Sequence, residues 1–213
     1  MTYQWGNNHG SIMEVNGKWY IFYHRQTGVN EYSRQAMLEP VDVAMGMDGK
    51  LYIGDVRYLD GEPVSSKPVE MTSQGPHING LDARKWISAG YACHIYGSRT
   101  RAYVEPGYEQ TDTISTPVVN MSSGTTVGFR YLQFGANTPE TVTVVLREHE
   151  ALRVQVRIDS YRGRVVAEME FGETEFEKTA ALNTGIIGKH AVYFAFVSDE
   201  EGAVASFDRF TFD

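Results

Sequence analysis

The run Ser11-Ile-Met-Glu-Val15, the dipeptide Asn16-Gly17 and the run Lys18-Trp-Tyr-Ile-Phe-Tyr-His24 decide the fold class. Two apolar-rich segments flank the dipeptide that best tolerates positive φ at both central positions of a two-residue turn, so the stretch reads as a β-hairpin. Working outward, Ser33 to Ala44 is a second long run, Met47-Asp-Gly-Lys50 its turn and Leu51-Tyr-Ile53 the return strand. Four strands in succession predict a meander or one propeller blade. Asp60 to Pro68 mixes turn formers with charge, Val69 to Thr72 is strand-like, and Gln74 to Gly80 is broken by Gly, Pro and Asn, which places a boundary near residues 75 to 85.

Beyond Trp86 the strands become regular. Thr126 to Phe134, Thr141 to Arg147, Leu152 to Ile158, Arg164 to Phe171, His190 to Val197 and Val204 to Phe212 recur at sandwich spacing. Arg153-Val-Gln-Val-Arg-Ile158 alternates with period two, as expected of a strand with one wet and one buried face. Phe129, Tyr131, Phe194, Phe196, Phe210 and Phe212 are expected in the core. The predicted fold is all-β, a partial propeller segment of about one blade followed by an antiparallel, jelly-roll-like sandwich. Its expected divisions are 1–75, a linker at 76–87 and the sandwich at 88–213.

Composition agrees. Aromatic residues make up 12% of the 213, with 13 Tyr, 10 Phe and 21 Gly, a bias toward strands joined by tight turns. Nineteen Lys and Arg against 27 Asp and Glu give a net charge of −8, which disfavours a nucleic-acid partner. No stretch approaches the roughly 20 apolar residues of a membrane helix, and the first ten residues lack a signal-peptide pattern, so the chain as written is expected in the cytoplasm, its native compartment left open. Cys93 is the one cysteine and forms no internal disulfide. The other histidines, His24, His77, His94, His149 and His190, lack the spacing of a zinc site.

Asn7-Asn-His-Gly-Ser11, followed by Asn16 to Arg25 and then Tyr32-Ser-Arg-Gln-Ala36, resembles the last part of the five-bladed propeller of glycoside hydrolase family 43 over about residues 5 to 75. That resemblance implies a parent enzyme acting on arabinose- and xylose-containing glycans. It implies that His9 faces a central channel beside calcium or water once the propeller is complete, and that Arg34 lies close to the sugar. The strand around Val127-Gly-Phe-Arg-Tyr131, His190 to Phe196 and the terminal Ser206 to Phe212 are similar to family 6 carbohydrate-binding modules, which implies association with an oligo- or polysaccharide of the arabinoxylan kind.

Glycoside hydrolysis needs two positioned carboxyl groups. In the resembled family these come from blades that precede the segment seen here, and the acids of residues 1 to 75, Glu39 and Glu70 among them, are expected mostly in turns or on wet faces. No catalytic residue is assigned and no cofactor is required; calcium belongs only to a completed propeller. Sugar recognition in a sandwich needs exposed aromatic faces beside planar polar side chains. The loop aromatic Tyr108 is the first candidate, with Tyr103 and Glu105 behind it.

Three functions stay open at this stage: a non-catalytic accessory unit with a sugar-associating sandwich, a structural sandwich that mediates subunit contact, and half of a glycosidase completed by an upstream chain. A lone blade leaves apolar faces bare, so residues 1 to 75 are expected to pack on the sandwich, on a second copy in a homo-oligomer, or on an N-terminal propeller chain.

Overall fold

A computed structural model describes residues 9–26, 34–67, 69–75, 77–78, 80–105 and 116–213. Strands β1 (Gly10–Val15), β2 (Lys18–Gln26), β3 (Arg34–Met45), β4 (Leu51–Leu59) and β5 (Glu62–Lys67) form one antiparallel sheet in sequence order. The first hairpin closes as expected, with Asn16 at φ 53° and Gly17 at φ 77°, so the turn twists with its strands. Asp60 and Gly61 repeat the device at φ 52° and 84°, and the segment read as turn and charge becomes β5, paired with β4. Val69 to Thr72, by contrast, is not a strand.

The sandwich is built from two sheets. One has the order β15 (Glu177–Ala181), β12 (Thr141–His149), β17 (Ala205–Phe212), β10 (Val118–Met121) and β9 (Tyr103–Val104), with β7 (Ile87–Ser88) also on β17. The other runs β14 (Val165–Phe171), β13 (Leu152–Ile158), β16 (Lys189–Val197), β11 (Thr126–Gln133) and β6 (Leu81–Asp82), with β8 (His94–Tyr96) on β11. β6 is parallel to β11 and the other pairs are antiparallel. β6 and the first residue of β7 come from the stretch expected as a linker, so the sandwich's sheets already take residues from position 81.

Between the sheets lies a phenylalanine core. Phe129, Phe194, Phe207 and Phe210 are fully buried, with ring centroids 4.6 Å apart for Phe194 and Phe210 and 4.7 Å for Phe129 and Phe210. Each buried ring contributes about 1.5–3 kcal/mol. Phe196 and Phe212 join them as expected, but Tyr131 does not. The pairing of β11 with β16 slips by one residue between Phe129 and Leu132, and this bulge turns Tyr131 out of the core.

The five-stranded sheet is joined to the sandwich by polar ties, while its apolar residues Ile12, Met13, Leu51 and Ile53 stay exposed, so this contact leaves the bare faces uncovered. Arg25 on β2, fully buried, donates from Nε and Nη2 to Gln35 Oε1 at 2.8 and 2.6 Å, and its Nη2 also reaches the carbonyl of Ala92. Gln35 in turn donates to the Gly90 carbonyl. A strap of residues 69–75 adds a second tie. Thr72 N–H donates to Glu39 on β3 at 2.9 Å, Ser73 N–H donates to the Arg130 carbonyl, and Glu70 takes bonds from Arg130 and from the Tyr131 hydroxyl, the latter at 2.6 Å. Glu39 is thus buried, not wet as expected, because the strap closes over it.

Candidate functional site

Tyr103 and Glu105 lie on the same face of the β9 segment, two residues apart, because the intervening Val104 points into the core. Tyr103 pairs with Val119 of β10, and both are half-buried on the outer face of the sheet. Glu105 is exposed and sits 3.6 Å from Arg147, the residue that ends the alternating outward series Thr141, Thr143, Val145 on β12. Arg147 Nε donates to Asp208 Oδ1 at 2.7 Å. The site is therefore a relay, Glu105 to Arg147 to Asp208, carried by three strands of one sheet.

A bulge makes this relay. Val145 pairs with Arg209 and Leu146 with Phe207, so Asp208 is the extra residue on β17, and the kink presents Asp208 and Arg209 consecutively on the outer side. Arg209 stacks its guanidinium over the half-exposed Trp86 ring, 4.8 Å from the centroid. On the other flank of β12, the Phe176 carbonyl accepts from Leu146 N–H at 2.8 Å. The 50% exposed Phe176 ring lies on the face opposite Arg147, since its neighbour Glu177 pairs with the outward Val145, and it stands edge-on to His149 at 5.2 Å. Aromatic faces and fixed planar donors and acceptors on one sheet can stack on sugar C–H faces and bond hydroxyls.

The expected residues are only partly gathered. Tyr103 and Glu105 share this surface; Tyr108 lies outside the described residues. Arg34 is exposed at the start of β3, opposite Gln26, on the five-stranded sheet and not on the sandwich. His9 has its ring 5.9 Å from that of His24. Among the described residues no group of three or more His, Cys, Asp or Glu side chains is placed to hold a metal ion. Arg147, Trp86 and the Asp208–Arg209 pair were missed. The period-two pattern of Thr141 to Arg147 could have found the first; the bulge that exposes the last has no sequence signal.

The family model for the carbohydrate binding module (family 6) matches residues 98–213. A xylosidase/arabinosidase of Thermoclostridium stercorarium is 29% identical across 96% of this chain, which spans 42% of that protein's length. The glycoside hydrolase family 43 arabinoxylan arabinofuranohydrolase of Bacillus subtilis, solved with cellotetraose, shares the fold at a TM-score of 0.63 and 20% identity, over 97% of this chain and 41% of that one. A β-1,3-glucan-binding family 6 module of Bacillus halodurans aligns at a TM-score of 0.50 and 15% identity, over 62% of this chain and 97% of that one. With more than half of its residues matched by that model and its sandwich built accordingly, the chain belongs to the family 6 carbohydrate-binding modules.

Proposed function

We propose that this chain is the non-catalytic, carbohydrate-holding part of a family 43-like glycosidase acting on arabinose- and xylose-containing glycans, and that its sandwich binds the glycan on the surface around Arg147. The relay Glu105–Arg147–Asp208, with Tyr103 and the exposed Trp86 ring on the same outer face, carries this reading. Arg147 fixed between two carboxylates is pre-organised, so a sugar meets donors and acceptors already oriented and little side-chain entropy is lost on binding. The five-stranded sheet, tied to the sandwich through Arg25 and the strap, would hold that surface at a set orientation to the catalytic part of the parent enzyme.

The test is calorimetric titration of the chain with xylotetraose and arabinoxylan oligosaccharides. Arg147→Ala is expected to weaken binding about tenfold or more, the loss of one or two charge-assisted hydrogen bonds. Unchanged affinity in that variant refutes the assignment of the surface.

A second reading rests on the buried tie itself. Arg25 and Gln35 grip the carbonyls of Ala92 and Gly90 at the entrance to the sandwich, the arrangement of a buttress. A wild-type chain that binds none of the oligosaccharides would leave the sandwich with this structural role.

A further inference from the structure

The bulge that removes Tyr131 from the core delivers it to a cleft between the two parts of the molecule. The cleft measures about 1310 Å³, above the roughly 300–1,000 Å³ of common small-molecule sites. Trp19 of β2 lines it from the five-stranded sheet; Tyr131 and Gln133 of β11 and Lys189 of β16 line it from the sandwich, with Glu70 and Gln74 of the strap between them.

Its chemistry is specific. The Tyr131 hydroxyl is fixed by Glu70 at 2.6 Å, and its ring carries the Lys189 ammonium 4.7 Å from the centroid. Along the walls Lys67 pairs with Asp55 at 3.1 Å and Arg130 with Glu70, and Lys18, Lys189 and Asp42 add further charge. Such a lining has aromatic area on both walls and many polar heads, with four cations interspersed among three carboxylates. It does not favour a phosphorylated or strongly charged ligand, and it has too many polar groups for an apolar helix. A neutral, polyhydroxylated chain satisfies both conditions, with ring faces against Trp19 and Tyr131 and hydroxyls toward Gln133, Gln74 and the ion pairs.

We infer that the cleft between the five-stranded sheet and the sandwich is a second glycan-binding site, which takes a neutral oligosaccharide of several units between Trp19 and Tyr131. It shares no residue with the Arg147 surface. Two sites on one chain raise the effective concentration of a polysaccharide segment at the second site once the first is filled, so a polymer is held more tightly than a short oligosaccharide.

Calorimetry with xylotetraose and cellotetraose tests the inference through stoichiometry. The wild-type chain is expected to show two sites, one lost in Trp19→Ala and weakened about tenfold in Gln133→Ala/Lys189→Ala, the other kept in both. The second variant changes two exposed side chains, so it remains readable if Trp19→Ala fails to fold. A single site, abolished by Arg147→Ala and untouched by the cleft variants, overturns the inference. A single site lost only in the cleft variants upholds it and refutes the Arg147 reading; no binding by the wild type overturns both.

Discussion

Glu39, 1% exposed on β3, accepts a hydrogen bond at 2.9 Å from the backbone amide of Thr72, 33 residues further along the chain. Burial raises its pKa above 4.5, opposed by the Thr72 amide, by Tyr23 and by the charge of Arg25. A carboxyl whose folded pKa is raised holds extra protons in the native state, so the stability it contributes is present at low pH and is lost as pH rises above 4.5 through the folded value. Glu39→Gln keeps an acceptor for the amide and has no charge to bury. Urea unfolding between pH 4 and 8 is expected to show that loss in the wild type and a flatter profile in the variant.

His94 titrates the other way. Burial, then the Arg130 guanidinium, push this half-buried imidazole down to about 4, with Arg25 acting in the same sense and Glu70 opposing. The unfolded chain binds a proton near 6.5 that the native state refuses until about 4, so stability is full above 6.5 and falls as pH drops through that window. After solvent screening the loss is about 1–2 kcal/mol. His94→Asn should remove that part of the acid dependence in thermal melts between pH 7 and 4.

Gly128 on β11 lies beneath Tyr193 on β16: a Cβ there would come within 2.6 Å of the tyrosine ring and 3.2 Å of His94 Cβ. Neither the ring nor the backbone can retreat without disturbing the sheet. Gly128→Ala is expected to destabilise by about 1–3 kcal/mol in denaturant titration, and combining it with Tyr193→Ala should cost less than the sum of the two single changes.

Breaking the buried tie has a different signature. Arg25→Met leaves the Gln35 oxygen and the Ala92 carbonyl without their donor, a cost of about 3 kcal/mol or more. The loss falls on the contact between the five-stranded sheet and the sandwich. Calorimetric unfolding is expected to split into two transitions, with new proteolytic cleavage between residues 69 and 87. A single cooperative transition of unchanged midpoint would show that the strap alone holds the parts together.

On the Arg147 surface, Trp86→Ala is expected to weaken oligosaccharide binding about three- to tenfold, read by calorimetry.

How much of this was legible depends on the kind of order involved. Asn16-Gly17 announced its hairpin because φ is positive at both turn residues, and Leu152 to Ile158 was found to the residue because strict alternation leaves one register. Asp60-Gly61 carried the same turn signal as Asn16-Gly17, yet its return strand, with Pro63 and polar Ser65 and Ser66, lacks the apolar alternation that identifies a strand. Tyr131 was misplaced, and Asp208 and Arg209 went unseen, for one reason: a bulge shifts the facing of a side chain by one residue, and it arises from pairing with a distant strand. The ties made by Arg25 and Glu39 also join segments remote in sequence, so no local pattern pointed to them.

The Arg25 grip falls on main-chain oxygens. Arg25 takes the carbonyl of Ala92 and Gln35 that of Gly90, so the sandwich side of this joint is defined by the path of its backbone and not by which side chains it carries. A joint of that kind tolerates sequence drift on one side without renegotiation on the other. In evolutionary terms it works as a standard coupling: a sandwich with a different glycan preference could be exchanged onto the same five-stranded sheet, provided its entry turn keeps those two oxygens in place.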